Sequence, residues 1–236
     1  MLRIFNTVRQ ELVREGQLGR YIGYALGEIV LIVVGILIAL QIGEWADDRS
    51  ERRFERKTLS QIQINLQTDH EELSEILRNR REAAQSIDNI LAIEEPDNPD
   101  ENLKLWLSDV MQFDRFHSLT SAYEVLKSRG LDIVRNDALR TTLGIYYDNW
   151  AREIQQHNQD IETGFMSRWI PVIIADIEEF DWDVVAEPYD AADLLNDRSF
   201  LNTLKIEQDN HEGTAEHLET VIQINEQLQD LIEAEL

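Results

Sequence analysis

The chain has 236 residues, with 46 acidic and 22 basic side chains and a formal net charge of −24. This charge argues against nucleic acid as a partner, because phosphates would be repelled. Without cysteine, the chain has no disulfide, no thiolate nucleophile and no cysteine metal site. The stretch after Asp176 is the most acidic. It is either a solvated face or a docking surface for a basic partner or cations.

Residues 1–20 predict a short amphipathic arm on a membrane surface. Leu2, Phe5, Val8 and Leu12 recur at helical spacing, and arginines lie between them.

Residues 21–45 predict a transmembrane helix. Every residue from 29 to 40 is apolar or glycine, and the flanks extend this run to the roughly 20 residues that a bilayer requires. Tyr21, Tyr24 and Trp45 are placed like interfacial aromatic anchors. A cleaved signal peptide and a buried soluble helix are the alternatives. A signal peptide has a shorter apolar core and a small-residue cleavage site, whereas here the helical pattern continues.

Small residues recur within this span at about every fourth position, on one slowly drifting helix face: Gly23, Gly27, Gly35, Ala39 and Gly43. Such a face lets helix backbones approach closely, so it predicts self-association or packing against another membrane protein.

Glu28 and Gln41 are the polar residues expected inside the membrane. Because a carboxylate is costly in hydrocarbon, Glu28 should face protein or water. Three interpretations stay open. It snorkels or forms a hydrogen bond across a helix pair, it lines a pore or proton path in an oligomer, or it contacts a different membrane protein.

Residues 46–94 predict one long helix, which begins as a polar stalk and is ended by Pro96 and Pro99. Its apolar residues form a seam for packing on other helices: Leu59, Ile62, Leu66, Leu73, Leu77, Ala84, Ile87 and Leu91. A short helix is expected over 101–112. A second should begin with a capping box at Ser121–Glu124 and end at Gly130 in a left-handed cap.

A further long helix is predicted from Asn136 as its cap to about residue 177, with a kink at Pro171. Its stripe is Leu139, Leu143, Tyr147, Trp150, Ile154, His157, Ile161 and Phe165. Residues 178–196 are expected to be irregular, with Trp182 and Tyr189 as anchors on the bundle. Asn196 or Asp197 caps the last helix, over 200–235, whose seam is Leu201, Leu204, His211, Ala215, Leu218, Ile222, Leu228 and Ile232.

We find no strand-period segment of useful length, so the predicted fold class is all-α. We expect an N-terminal transmembrane helix that continues into a long stalk helix and an antiparallel, coiled-coil-like helical bundle. The expected parts are the arm at 1–20, the span at 21–45 and an acidic bundle domain with its stalk at 46–236.

Two stretches resemble an uncharacterised family of bacterial single-pass membrane proteins of unknown function. One is residues 21–41, YIGYALGEIVLIVVGILIALQ, with the arginine-bearing arm before it. The other is SAYEVLKSRG at 121–130, continuing to Tyr147. The resemblance implies an integral membrane helical protein and brings no catalytic residues with it. It does not extend to the last 60 or so residues.

The side of the membrane is not decided by the positive-inside rule, because basic residues flank the span on both sides. They are Arg3, Arg9, Arg14 and Arg20 before it and Arg49, Arg52, Arg53, Arg56 and Lys57 after it. A short arginine-bearing arm before an uncleaved span is typical of a signal anchor. The expected location is therefore the bacterial inner membrane, with the bundle on the periplasmic side.

Three seam histidines, His70, His157 and His211, come from three long helices and could meet around a metal. However, the Glu-x-x-His spacing of di-iron bundles is absent, and a seam histidine is usually a hydrogen-bonded core residue. We therefore expect no metal and no cofactor. The chain also lacks a phosphate loop, a His-Glu-x-x-His motif and any spacing that indicates a catalytic triad, so no catalytic residue and no enzyme are expected.

Most of the large aromatic residues are expected in the core, although they could instead line a small-ligand pocket: Trp106, Trp150, Trp169, Trp182, Tyr146 and Tyr147. The sequence thus predicts a non-enzymatic, self-associating, membrane-anchored structural or accessory subunit of a bacterial envelope assembly. The expected partners are the lipid bilayer and either a second copy or another membrane protein. The alternatives are an ion or proton channel that uses Glu28 and a membrane-anchored ligand sensor.

Overall fold

The computed structural model describes residues 18–182 and 184–236. The predicted arm at 1–20 lies almost entirely outside these residues, and the side chains of the expected anchors Tyr21 and Tyr24 are not described either. The chain divides into two compact units, residues 1–54 and residues 55–236. The first helix, α1, covers Leu18–Leu91 without a break, because no proline and no glycine interrupts it between Gly43 and Pro96.

The first unit is described as helix from residue 18 to residue 54. Within the described residues, α1 is the one helix that is long and apolar enough to cross a membrane by length and composition. Its most apolar window has a mean hydropathy of 2.6, and none of that window is buried. A membrane is therefore a fitting environment for this surface.

The second unit contains the rest of α1 and a series of shorter and longer elements. In chain order these are α2 (Leu103–Val110), α3 (Ser121–Arg129), a 3₁₀ turn (Leu131–Ile133), α4 (Asp137–Gly144), α5 (Ala151–Gly164), α6 (Ile170–Asp176), β1 (Ile177–Asp181), β2 (Val185–Pro188), α7 (Ala191–Asn196) and α8 (Arg198–Glu233). Two π-helical segments, Ile145–Trp150 and Phe165–Trp169, join α4 to α5 and α5 to α6. The fold is all-α, as predicted, with one small hairpin.

Helix α8 runs antiparallel to α1. Near the start of the bundle, the Asn225 side chain donates to the Leu66 carbonyl oxygen at 3.1 Å. Further along α1, Gln208 donates to Asp88. Residue numbers therefore fall along α8 as they rise along α1.

The helical run α4–α6 is parallel to α1. The Arg135 amide, just before this run, donates to the Glu55 carboxylate at 3.1 Å, and the Tyr146 hydroxyl donates to Asp69 at 2.9 Å. Because this run has the same direction as α1, the chain between the end of α1 and residue 135 must first return to the starting end of the bundle.

The connection from α2 to α3 makes this return journey in extended form along α1. Side chains of α1 hold it at successive levels, in the pairs Arg80–Asp114, Asp69–Ser118 and Asn65–Leu119, and Ser86 binds Asp109 at the end of α2. These bonds satisfy polar groups of a segment that has no regular structure of its own.

The buried face of α1 alternates steps of three and four residues, as in a coiled-coil heptad. It consists of Leu59, Ile62, Leu66, Asp69, Leu73, Ile76, Arg80, Ala83, Ile87 and Ile90. The predicted members Leu77, Ala84 and Leu91 are only half-buried. That prediction considered apolar residues alone. Because Arg80 occupies a core position, the prediction assigned the neighbouring apolar residues Leu77 and Ala84 to the core instead.

Helix α8 has the same alternation. The alternating buried positions are Phe200, Leu204, Glu207, His211, Thr214, Leu218, Val221, Asn225, Leu228 and Ile232, and the predicted seam residue Ala215 is buried beside them. The predicted members Leu201 and Ile222 are half-buried, for the same reason.

Residues 178–196 are more regular than the sequence predicted. Strands β1 and β2 form an antiparallel hairpin in which Phe180 pairs with Ala186, and α7 follows it. The strands have only five and four residues, too few for alternation to stand out. Trp182 packs on Phe113 and Phe180, as expected of an anchor, but Tyr189 is 65% exposed and anchors nothing through its ring.

The helix caps are partly as predicted. The Asn136 side chain accepts from two backbone amides at the start of α4, and Asp197 does the same for α8. The capping box at Ser121–Glu124 is wrong, because Thr120 is the cap residue and makes no side-chain capping bond. Gly130 does end α3 with a positive φ of 107°. Pro171 lies in the first turn of α6, directly after a π-helical segment, so its missing amide falls where the regular hydrogen-bond ladder is already interrupted.

Candidate sites in the span and in the bundle core

The small and polar residues of the predicted span are exposed on the surface of α1. Glu28, Gln41 and Ala39 are exposed. A Cβ added to Gly23, Gly27, Gly35 or Gly43 would meet no described atom within 4 Å. At about 100° per residue, Glu28, Gly35 and Ala39 fall on one face of the helix. No contact among the described residues explains these glycines, although each costs helix stability.

Asp69 is the centre of one polar layer in the bundle core. It is fully buried and accepts hydrogen bonds from the Ser118 hydroxyl, the Leu119 amide and the Tyr146 hydroxyl. Asn225 donates in turn to the Tyr146 oxygen at 3.0 Å. Burial raises the pKa of Asp69, while its three hydrogen bonds oppose that shift. Burial also raises the pKa of Tyr146, so this hydroxyl remains a donor.

Arg80 is the centre of a second polar layer and is 1% exposed. One guanidinium nitrogen donates to Asp114 Oδ2 at 2.6 Å, and another lies 3.4 Å from His211 Nδ1. Burial and the Arg80 charge lower the pKa of His211 to about 3. The imidazole is therefore neutral and can accept the Arg80 hydrogen bond at Nδ1. Burial lowers the pKa of Arg80, and Asp114 opposes that shift.

Glu207 adds a buried carboxylate one turn before His211. Two nitrogens of the Arg168 guanidinium donate to it, and Asn210 donates at 3.2 Å. Gly164 makes room for this pair, because a Cβ there would collide with the Arg168 guanidinium. Both Arg168 nitrogens converge on Glu207 Oε1, and Asn210 occupies Oε2, so the ion pair joins the run α4–α6 to α8 with both carboxylate oxygens bound.

A few buried polar atoms have no hydrogen-bond partner within the described residues. They are Arg80 Nε, Ser108 Oγ, the Tyr147 hydroxyl and both amide atoms of Asn158. The other core polar groups described above are hydrogen-bonded to partners in the bundle.

The three seam histidines do not meet. His70 lies 3.1 Å from Glu226, His211 contacts Arg80, and His157 packs against the His217 ring at a centroid distance of 5.1 Å. His70 lies on α1 itself, whereas His211 of α8 contacts α1 at Arg80, ten residues further along that helix. No group of three or more His, Asp or Glu residues in the described parts of the chain is placed to hold a metal ion.

The aromatic residues are divided between separate layers and do not line one pocket. Tyr123 stacks on Tyr147 at 4.5 Å, and Tyr146 meets Tyr147 edge-on. At the other end of the bundle, Trp169 packs on Phe200. The tyrosine layer adjoins the Asp69 layer, whereas the tryptophan belongs to the core around α2 and the hairpin.

A groove of about 450 Å³ lies between α5 and α8. Most of the residues that line it are of polar types: His157, Asp160, Ile161, Arg168, Asp209, Asn210, Gly213, Thr214 and His217. It is open to solvent and lacks the apolar walls that are typical of small-molecule sites.

The sequence analysis missed the charged and amide residues of the core, namely Asp69, Arg80, Glu207 and Asn225. A signal for them was available. Each continues the three-four alternation of its helix, and a polar residue at such a position is buried if the register holds.

The fold and these sites define an all-α bundle that follows one long apolar helix and whose core contains specific polar layers. The chain belongs to a family described as a family of unknown function (DUF6090), whose model matches residues 28–150, over half of the chain. This agrees with the resemblance to an uncharacterised family. The match ends at the first π-helical segment and leaves α5–α8 outside. No curated protein and no solved structure matches the chain.

Proposed function

We propose that the protein is a non-enzymatic, single-pass protein of a bacterial inner membrane. It associates with itself through the span and serves as a structural or accessory subunit of an envelope assembly. The observation that carries this proposal is the exposed apolar surface of α1 from residue 26 to residue 42, which contacts no other part of its compact unit in the described residues. Lipid covers such a surface, and a second helix covers the part that contains glycine.

The glycines support the self-association. A glycine in a helix costs roughly 0.5–1 kcal/mol relative to alanine, so its presence requires a reason. Gly35 has open space where a side chain would be, and Ala39 lies on the same face one turn later. A close contact with another helix at this face supplies the reason.

The bundle core supports a structural role. Asp69 and Arg80 are buried, and each is bound by neighbours from other parts of the bundle. A catalytic acid, base or nucleophile has to reach a substrate, and these groups reach none. The bundle is proposed to lie on the periplasmic side, in agreement with the arginine-bearing arm before the span.

The size of the purified full-length protein in detergent tests self-association. We expect mass photometry to show an oligomer for the wild-type protein. Gly35→Leu/Ala39→Leu should shift it towards monomer by at least about tenfold in dissociation constant, because leucine side chains hold the backbones apart.

The matched control is Val30→Leu/Val33→Leu, which adds bulk to the opposite face and should leave the oligomer intact. A monomeric wild-type protein would reject self-association. Equal loss in both variants would reject the glycine face as its cause.

A further inference from the structure

We infer that Arg49, Arg52 and Arg53 form a surface that binds the phosphates of anionic lipid headgroups where α1 leaves the bilayer. The inference rests on the proposed membrane span. It assigns a specific lipid class and specific residues to a segment that anchoring alone does not require to be basic.

The first observation is the separation of charge around the helix. At about 100° per residue, Trp45 and the three arginines fall within an arc of about 100°. The carboxylates of this segment lie mainly on the opposite side, at Glu44, Asp47 and Glu51. A chain with a net charge of −24 thus presents three arginines together at the edge of its apolar segment, with Asp48 as the one carboxylate at the border of their arc.

The second observation is the direction of the arginine side chains. The Arg49 guanidinium lies over the Trp45 ring, 5.6 Å from its centroid. Arg52 Nε lies 3.2 Å from Asp48, and Arg53 Nε donates to the Arg49 carbonyl oxygen at 3.4 Å. Each arginine reaches four residues back along the helix. In an α-helix, side chains lean towards the N-terminus, which here is the membrane side.

The distances place the Arg49 guanidinium in the headgroup layer and those of Arg52 and Arg53 just beyond it. The apolar run ends at Ile42, so Trp45 lies about 5 Å beyond the hydrocarbon edge and Arg49 about 10 Å beyond it, at 1.5 Å per residue. The headgroup layer on each side is about 5–8 Å thick. Because its side chain reaches back by one turn, Arg49 brings its guanidinium group into this layer. Arg52 and Arg53 begin about 15–17 Å beyond the hydrocarbon edge, and the same reach brings them to about 10–11 Å, just beyond the layer.

The chemistry selects phosphate. A guanidinium offers several donors in a plane and binds phosphate oxygens in pairs, and basic residues next to a span favour anionic lipid. The acidic face on the other side of the helix disfavours a flat orientation on the membrane. The surface is therefore expected to gather anionic lipid around an upright helix.

The experiment uses the full-length protein in vesicles of phosphatidylcholine with one quarter phosphatidylglycerol. Either lipid is replaced by its brominated form, which quenches tryptophan in contact with it. Trp45 is the only tryptophan before Trp106, and the quenching that disappears in Trp45→Phe is its own signal. We expect Trp45 to prefer brominated phosphatidylglycerol over brominated phosphatidylcholine by at least about threefold, and 0.5 M NaCl to reduce that preference.

The test variant is Arg49→Gln/Arg52→Gln/Arg53→Gln, for which the preference should fall to about one. The control is Arg78→Gln/Arg129→Gln/Arg152→Gln, which removes the same charge from exposed positions of the bundle and should keep the preference. A wild-type protein without preference, or a test variant that keeps it, overturns the inference.

Two further results separate this inference from the proposed function. Release of the wild-type protein from membranes by alkaline carbonate would reject the span and the inference together. Retention in the membrane without lipid preference would reject the inference alone. If the test variant loses its oligomer and keeps the lipid preference, the basic face belongs to a contact with a second copy, and the inference is wrong.

Discussion

At the scale of single residues, the buried His211 makes the stability of this bundle depend on pH. His211 is 3% exposed and lies beside Arg80, so a proton on its ring would be both desolvated and repelled. Its pKa is about 3 in the folded chain against 6.5 in the unfolded chain. Between these values the unfolded chain binds the extra proton, so stability is complete above pH 6.5 and falls as the pH falls towards 3.

We therefore predict that the free energy of unfolding decreases by roughly 1.5 kcal/mol between pH 6.5 and pH 5 on account of His211. Urea unfolding of the full-length protein in detergent, followed by tryptophan fluorescence at each pH, measures the slope. His211→Gln should remove that part of the slope. His70→Gln, whose ring is partly exposed beside Glu226, is the control and should keep it. An unchanged slope in His211→Gln would show that another group causes the acid response.

At the scale of elements, the long helices were predicted from their own residues, whereas their register was not. The helix starts at Asn136 and Asp197 are marked by capping side chains, and the end of α1 is marked by Pro96 and Pro99. These signals are local, so they can be read from the sequence. The core position of Arg80 depends on Asp114, which lies on a segment with no local pattern. The hairpin at 177–188 packs against α2, and its own sequence contains no local pattern that predicts strands.

Glycine positions give a prediction for two elements. Gly130 ends α3 with a φ of 107°, where a Cβ would also collide with Asp132. Gly130→Ala should therefore destabilise the protein by roughly 1–3 kcal/mol. Gly213 lies in the middle of α8 with free space around it, so Gly213→Ala should stabilise by roughly 0.5–1 kcal/mol.

Thermal unfolding of both alanine variants beside the wild-type protein checks this pair. Equal shifts of the two midpoints in the same direction would contradict the backbone conformation at Gly130.

At the scale of the whole molecule, the fold class and membership of an uncharacterised family were predicted from the sequence, and the core polar layers were not. The family match covers α1 from Glu28 and the connection that returns along it, including Asp69, Arg80 and Asp114. Glu207, His211 and Asn225, which complete the layers, lie beyond residue 150. Side chains that meet only after folding leave little trace in a local pattern, and these pairs are separated by between 34 and 159 residues.

The central claim is that copies of this protein meet in the membrane at the face of Gly35 and Ala39. The chain contains no cysteine, so single cysteines can be introduced without background. In native membranes treated with a mild oxidant, Ala39→Cys should form disulfide-linked dimers and Val33→Cys, on the opposite face, should not. No dimer for Ala39→Cys, or equal dimer for both variants, would contradict the claim.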